Sequence, residues 1–548
     1  MSFPSGKWIV FALFIASARP VAAQTSPKPD YFHKMWAPAA IPDRVPGPEG
    51  LRDYVIDGKL RVSVDDAVRL TLLNNTTMRL DALMVDQARN NVLGSYAPFD
   101  PQEVTSVSSN RSSSPTYSQL QGAPTLTNLA QQLAIGIQQN LDFGGQYQVN
   151  FSSNRSSTNN QFNFFNPSFF STLNLSLSQH LLRNRGRMPN RAPIVIAQRN
   201  LSQSRAAFKG QINDAVLLAV NRYWDVVLQR DNLEVVKKSL AEAEASYKQS
   251  KRALELGALP PLDIYRSESE VASRRLNVIQ AEYQLKQSED LLRLTIGADL
   301  DPYVRALDLD LEEKAEPTGE LLTTDVETAL KRALENRPEL EADAHQIAID
   351  ETNVRFSHNQ LLPDLLLSMV YTSNGLGGNQ FNTAATPPVL VSRGGFGDAL
   401  GQVFGFGFPI YGFSLQLNLP VRNRGAQASL ANALVSRRRD LYFDRQTRQG
   451  ITLEVTNAVH SLEQAKLSIS AAKIARDLSE KNVQAEQRKF ELGEQTIFFV
   501  LEAQTELAQS EASLVQAEVG YQRAVSQVDH ATGGLLDRYH VQIAQATH

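Results

Sequence analysis

The side chains able to do chemistry are plentiful but scattered. Fifty-eight carboxylates, 54 Lys and Arg and eight His are spread over 548 residues, with no Cys. The missing thiol excludes a disulfide framework, a thiolate nucleophile, a thiolate metal site and a lipid anchor on an N-terminal Cys. No phosphate loop, GxSxG elbow or HExxH helix occurs, and His345 and His358 read as helix-surface residues. Most carboxylates read as solubilising helix faces with partners four residues away. One short motif stands out: RNRG, at 183–186 and again at 422–425. Its guanidiniums could bind an anion. The plainer reading puts Arg183, Arg185, Arg422 and Arg424 where strand becomes helix, with Gly186 and Gly425 easing the change. These residues specify no enzyme, metal site or cofactor. A net charge of −4 gives no reason to expect nucleic acid.

What holds RNRG in place is a segment present twice. VDDAVRLTLLNN (64–75) resembles VETALKRALENR (326–337), with Ala67 and Ala329, Leu72 and Leu334, and Asn74 and Asn336 in step. After RNRG, Gly210 and Gly450 are lone glycines in long helical stretches, and ELG follows at 255–257 and 491–493. QAE then recurs at 280–282 and 516–518, and Gly297 answers Gly533. Matches in one order at a drifting offset mark tandem repeats with loop insertions. The predicted organisation is a signal peptide at 1–23, an extended N-terminal arm at 24–62 and a first repeat at 63–298. An acidic linker at 299–324, a second repeat at 325–536 and a polar tail at 537–548 complete it. Lys7, the apolar run from Trp8 to Ala16 and the small residues Val21, Ala22 and Ala23 carry the export signal. Arg19 and Pro20 end that run too early to span a bilayer. No later stretch suits a membrane helix, so a membrane-embedded form must be a closed β-barrel.

Each repeat opens on a predicted helix, 64–97 or 325–360, with Asp65 or Asp325 as cap. The period then changes to two. Leu133, Ile135 and Ile137; Tyr147, Val149 and Phe151; Leu173, Leu175 and Leu177; and Phe413, Leu415, Leu417 and Leu419 alternate with polar residues. A half-buried soluble sheet gives the same alternation. The short turn LDFGG (141–145) against a long polar loop at 155–170 favours barrel strands. Segments near 102–110, 131–139, 145–154 and 171–181 give the first repeat four strands.

Helices follow RNRG. One is predicted from Pro193, at a first helical position, to Glu255, and another from Ala426 to Glu491. At about 1.5 Å per residue, each is roughly 95 Å long. Each ends at ELG, where Gly257 or Gly493 tolerates positive φ and lets the chain reverse. Pro260 and Pro261, or Thr496 as N-cap, start the return helix. The return helices keep a seven-residue spacing. Val500, Leu507, Leu514, Tyr521 and Val528 form one row, and Ala503, Ser510, Ala517, Ala524 and Ala531 the other. The first repeat places Ile264, Val271, Val278, Leu285 and Leu292 beside Ser267, Arg274, Ala281, Ser288 and Thr295. Packed coiled-coil hairpins follow from that spacing; the alternative is a core stripe in a helical bundle.

The duplicated order, the twin openings, Pro363 leading into a strand and LEAQ at 501–504 together resemble the TolC-like outer membrane efflux family, from the first helix to Gly533. The resemblance implies a mainly α fold with a membrane β-barrel. Three copies would share one outer-membrane barrel and one long periplasmic α-barrel tunnel. It implies outer membrane lipid, a periplasmic adaptor (membrane fusion protein) and an inner-membrane pump of RND, ABC or similar class as partners, with no enzyme activity. Adaptor-contacting tips then fall on Leu256, Gly257 and Ala258, and on Leu492, Gly493 and Glu494. The acids that narrow the tunnel in well-known members correspond to Phe499 and Glu502, six and nine residues after Gly493. Glu502 keeps the acid, Phe499 does not, and Asp263 is the first-repeat equivalent of Phe499. A solvated helix start, where a carboxylate favours the dipole, is an equal reading of Asp263 and Glu502. The family's first repeat has two strands. The extra pair here either enlarges the barrel, the preferred reading, or forms a hairpin outside it. RNRG would lie at the membrane's periplasmic edge. The implied function is a passive export duct; a non-conducting periplasmic coiled-coil spacer or surface adhesin is the alternative, and it leaves the amphipathic strands without a use.

Overall fold

A computed structural model describes residues 45, 47–117, 122–256, 263–385 and 387–541. The expected signal peptide, the arm before residue 45 and the tail from 542 lie outside these. A short helical turn, Leu51–Tyr54, leads to β1 (Val55–Ile56), β2 (Lys59–Val62), α1 (Val64–Asn74) and α2 (Thr76–Gly94). Four strands follow: β3 (Gln102–Pro115), β4 (Thr125–Asn140), β5 (Gly145–Thr158) and β6 (Phe165–His180). Next come α3 (Arg187–Glu255), α4 (Asp263–Ile296), α5 (Pro302–Arg305) and β7 (Asp308–Leu311). The second half holds α6 (Val326–Asn336), α7 (Pro338–Asn359), β8 (Asp364–Asn382), β9 (Val389–Ser392), α8 (Phe396–Phe404), β10 (Phe408–Asn418), α9 (Arg424–Glu491), α10 (Ile497–Ala531) and α11 (Leu535–Arg538). Among the described residues, no helix is long and apolar enough to cross a membrane.

Several boundaries differ from the sequence reading, each for a local reason. The opening segments are two helices apiece. Asn75 (φ −64°, ψ 122°) breaks the first and caps α2 with its side chain. Arg337 (φ −69°, ψ 122°) breaks the second, as a residue preceding proline is steered from helical ψ. Ser63 and Asp66 form a capping box on α1, so Asp65 is a first-turn residue and not the cap; Asp325 does cap α6. α3 starts at Arg187, which puts Pro193 inside the helix and leaves Pro189 the first turn, where a missing N–H costs nothing. Beyond residue 50 the arm is not a free extended segment but a helical turn and two paired strands. β2 pairs antiparallel with β1 and parallel with β7 from the linker, so the two segments form one small sheet.

α3 has 69 residues and α9 has 68, so each is about 100 Å long at about 1.5 Å per residue. α4 returns along α3, α10 returns along α9, and α10 also packs on α3. The predicted rows face inward. Ser267, Arg274, Ala281, Ser288 and Thr295 are all buried, as are Ala503, Ala524 and Ala531. Two apolar clusters pin the helices near the ends of α4 and α10. The first packs α1, the middle of α3, the end of α4 and the small sheet around Leu60, Val68, Val220, Tyr223 and Ile296. The second joins α6, α9 and α10 through Ala333, Val455, Leu462, Tyr521 and Val528. Gly297 and Gly533 close the return helices at φ +75° and +74°. A Cβ on them would lie 2.6 Å from Asn74 Cβ and 3.1 Å from Asn336 Cβ, so the glycines pack on the two residues matched in the opening segments.

The large sheet has the order β10-β8-β6-β5-β4-β3, with β9 beside β8. Every neighbouring pair is antiparallel, and the register keeps most of the apolar residues on one face. One row reads Ile137, Val149, Leu175, Tyr371 and Tyr411 across five strands. The opposite face carries Gln148, Asn150, Asn174, Ser176 and Thr372. The predicted long loop at 155–170 is mostly strand, with the connection reduced to residues 159–164. Residues 155–158 extend β5 and residues 165–170 open β6, where phenylalanine suits strand, while the Asn-rich centre stays the connection. α8 lies on the apolar face. Ser373 Oγ donates to Val403 O at 2.6 Å, and Gly375 and Gly377 admit the helix backbone where a Cβ would come within 2.1 and 2.2 Å.

Candidate functional site

The described tip lies between α9 and α10. Leu492 ends α9, Gly493 follows at φ +76°, and two backbone bonds close the turn. Gly493 N–H donates to Phe490 O at 3.0 Å and Glu494 N–H to Lys489 O at 2.9 Å. This is the pairing that satisfies the last carbonyls of a helix when a left-handed residue follows it. A Cβ on Gly493 would touch nothing within 4 Å, so only its φ demands glycine. Leu492 and Glu494 are exposed; Ile497, Val500 and Leu501 are buried with Phe490 beneath them. Thr496 occupies the N-cap position of α10 but makes no side-chain capping bond. At the other tip Leu256 follows α3 and is exposed, while Gly257 and Ala258 lie outside the described residues.

The expected constriction residues are not gathered into a ring within one chain. Glu502 is exposed on α10, and Phe499 meets Phe498 edge to face at 5.2 Å. Arg266 of α4 lies over the Phe498 ring at 4.7 Å, linking the starts of the two return helices. Asp263 begins α4.

A buried arginine, which the sequence signalled only as an odd member of a row of small residues, ties the two hairpins together. Arg274 on α4 is 4% exposed. Its guanidinium donates to Ser239 O at 2.9 Å and Ser239 Oγ at 2.7 Å on α3, and to Leu501 O at 3.3 Å and Thr505 Oγ1 at 3.0 Å on α10. Glu270 balances its charge at 2.8 Å. Gln504 donates to Ser246 at 3.2 Å and Lys238 to Glu511 at 2.6 Å, adding α3–α10 contacts further along.

At the other end of the helices, RNRG builds the strand-to-helix junction unequally. Arg183 pairs with Asp364 at 2.8 Å, and Asp364 also meets His180 at 2.8 Å. Gly186 is the residue before α3, at φ +81°, and its N–H donates to Phe143 O at 2.9 Å. Arg185, Arg422 and Arg424 are exposed. Gly425 is already helical with open space around it, so it does not ease the transition; Asn423, before α9, takes the non-helical backbone instead.

A polar cluster the sequence did not single out joins both halves. His530 of α10 lies 2.8 Å from Asp214 of α3 and 3.4 Å from Glu454 of α9, and Arg337 pairs with Glu454 at 2.9 Å. Burial alone would lower the His530 pKa, but the two carboxylates outweigh it and raise it. Between α7 and α9, Asp350 and Asp440 share a buried space. Burial and then the Asp440 carboxylate push Asp350 up to about 6, while the Arg439 guanidinium holds Asp440 below its usual range. Among the described residues, no group of three or more His, Asp or Glu is arranged to hold a metal.

Comparison with known proteins adds to this geometry. A family model described as outer membrane efflux protein matches residues 146–298 and 329–534, over half of the chain. The chain is 20% identical to the probable efflux pump outer membrane protein TtgC of Pseudomonas putida over 318 residues, covering 58% of this chain and 59% of that protein. It is 22% identical to the outer membrane protein TolC of Vibrio cholerae over 343 residues, 62% of this chain and 73% of that one. The match thus spans less than two thirds of the first of these relatives. The fold is similar to the Campylobacter jejuni CmeC outer membrane channel, with a TM-score of 0.60, 14% identity and coverage of 94% and 93%.

Proposed function

The chain belongs to the outer membrane efflux protein family, and we propose that it is the exit duct of a tripartite efflux or secretion system. Three copies share one β-barrel in the outer membrane and one helical tunnel in the periplasm. Residues 63–298 and 325–536 act as two versions of one unit, each supplying a coiled-coil hairpin whose tip meets a periplasmic adaptor. An inner-membrane pump supplies the energy, and cargo passes through passively.

The observation that carries this reading is the sheet. Its apolar face runs across five strands in register, and its strands join directly to helices about 100 Å long at about 1.5 Å per residue. A soluble sheet would bury such a face; here the short α8 covers part of it, and Tyr411, Phe413, Leu415 and Leu417 are exposed. Closure at the periplasmic end rests on the hairpins, held by Arg274, and opening is an iris-like shift of them when an adaptor engages the tips. Fractionation with native mass measurement tests the assembly. An outer-membrane protein of three chain masses is expected; a soluble or monomeric protein would favour the spacer reading.

A further inference from the structure

Four helices meet the large sheet, but six long strands form it. β3 follows α2, α3 follows β6, β8 follows α7, and α9 follows β10. The helices pack in the order α2, α3, α7, α9, which matches β3, β6, β8 and β10. The hairpin β4–β5 is therefore inserted between the strands that α2 and α3 carry.

Resting on the trimeric barrel proposed above, we infer that β4 and β5 belong to the barrel wall. We infer also that the β3 edge (Gln102–Pro115) pairs with the β10 edge (Phe408–Asn418) of the next copy, giving eighteen strands.

The hairpin is built into the wall's plane. β4 pairs with β3 from Gln102 opposite Gln138 to Pro115 opposite Thr125, and with β5 from Asn128 opposite Thr158 to Asn140 opposite Gln146, without a register break. Its base is tied to both flanking junctions. Gln139 donates to Phe99 O at 2.8 Å and Asn140 to Pro98 O at 3.0 Å, below α2. On the other side, a Cβ on Gly144 would stand 2.2 Å from Asn184 O, so only glycine lets this turn seat against the start of α3.

The edges call for each other. Both are exposed along their whole length, and unpaired backbone N–H and C=O groups are too costly to leave in hydrocarbon. Six antiparallel strands leave β3 and β10 running in opposite directions, so one copy meets the next antiparallel, as at every internal seam. On β3 the apolar-face positions are Glu103, Thr105, Val107, Ser109 and Arg111, from their partners on β4. The two charges are about 27 Å apart along the strand at about 3.4 Å per residue, which is about 21 Å along the membrane normal at a tilt of about 40°, so they fall just inside the rims of an apolar band about 25 Å tall.

The widths agree as well. Four helices spaced about 9 Å apart occupy about 36 Å of circumference. Strands about 4.8 Å apart and tilted about 40° take about 6 Å each, so six strands occupy about 37 Å and four only about 25 Å. A six-strand wall continues the helical wall without a step.

The absence of native cysteine gives a clean test in the full chain, inserted in the outer membrane. Cysteines at 103, 105, 107 or 109 are paired with cysteines at 411, 413, 415 or 417 and oxidised, so no single misfolded variant decides the result. The expected product is a ladder of covalent dimers and trimers for at least one register. In the same membranes Thr105→Cys with Ile135→Cys should link within one chain, and Thr105→Cys with Leu173→Cys should not. A Thr105–Leu173 link would place β3 against β6 and overturn the inserted hairpin. A protein of three chain masses without β3–β10 products overturns the closure but keeps the trimer; a monomer overturns both.

Discussion

Gly493 shows how little of a tip is side-chain chemistry. Its φ of +76° is the requirement, and open space surrounds it. Gly493→Val should therefore cost about 1–2 kcal/mol of tip conformation, while Gly493→Asn, which tolerates the left-handed region, should cost less. Adaptor pull-down and export assays should drop for the valine variant with outer-membrane insertion unchanged; normal export would remove the tip's assigned role. Arg274 is the opposite case, a buried cation whose bonds span three helices. Arg274→Ala should release about 2–4 kcal/mol of coupling between the hairpins and raise the resting conductance of the closed channel. Unchanged conductance would mean that the arginine merely fills space. Asp350 sets a pH dependence. Its native pKa of about 6 lies above the unfolded value of about 4, so the native state holds the extra proton between those pH values. That stabilisation is complete below about pH 4 and is lost as pH rises through about 6, by about 1–3 kcal/mol. Denaturation midpoints from pH 4 to 7 should show this slope in the wild type and a flatter one in Asp350→Asn.

At the scale of elements, the matched glycines repeat one contact in each half. Gly297→Ala would press on Asn74 at 2.6 Å and Gly533→Ala on Asn336 at 3.1 Å. Both should lower thermal stability, by about 1–3 kcal/mol, with Gly297→Ala the worse; equal losses would mean that positive φ alone sets the cost. These contacts join residues whose matching was legible in the sequence, as were the strands around Leu173–Leu177, the inward heptad rows and the reversal at Gly493. Periodicity and glycine carry such information locally. What was not legible depends on partners far along the chain. The folding of residues 51–62 onto β7 needs a linker some 250 residues away. The Arg274 network needs Leu501 and Thr505, and a lone arginine in a small-residue row does not name its acceptors. The expected loop at 155–170 was too long because polar residues 155–158 and Phe-rich residues 165–170 pair as strand, and composition does not show where pairing stops. Of the candidate site residues, Leu492, Gly493 and Glu494 form a defined turn, whereas Glu502 and Phe499 are separate exposed positions whose meaning depends on neighbouring copies.

At the scale of the whole molecule, the proposed duct is a passive wall. Paired polar groups such as His530 with Asp214 and Glu454 lock the two halves to one another. In the proposed duct the lipid-facing band, the tunnel and the tips fall on separate stretches of the same elements, so insertion and gating should be separable by mutation. Single-channel recording of the purified protein in planar bilayers tests the central claim most directly. A passive exit duct should give stepwise ohmic conductance once assembled, low at rest and higher in Arg274→Ala. A correctly assembled oligomer that never conducts, with that clamp removed, would contradict it.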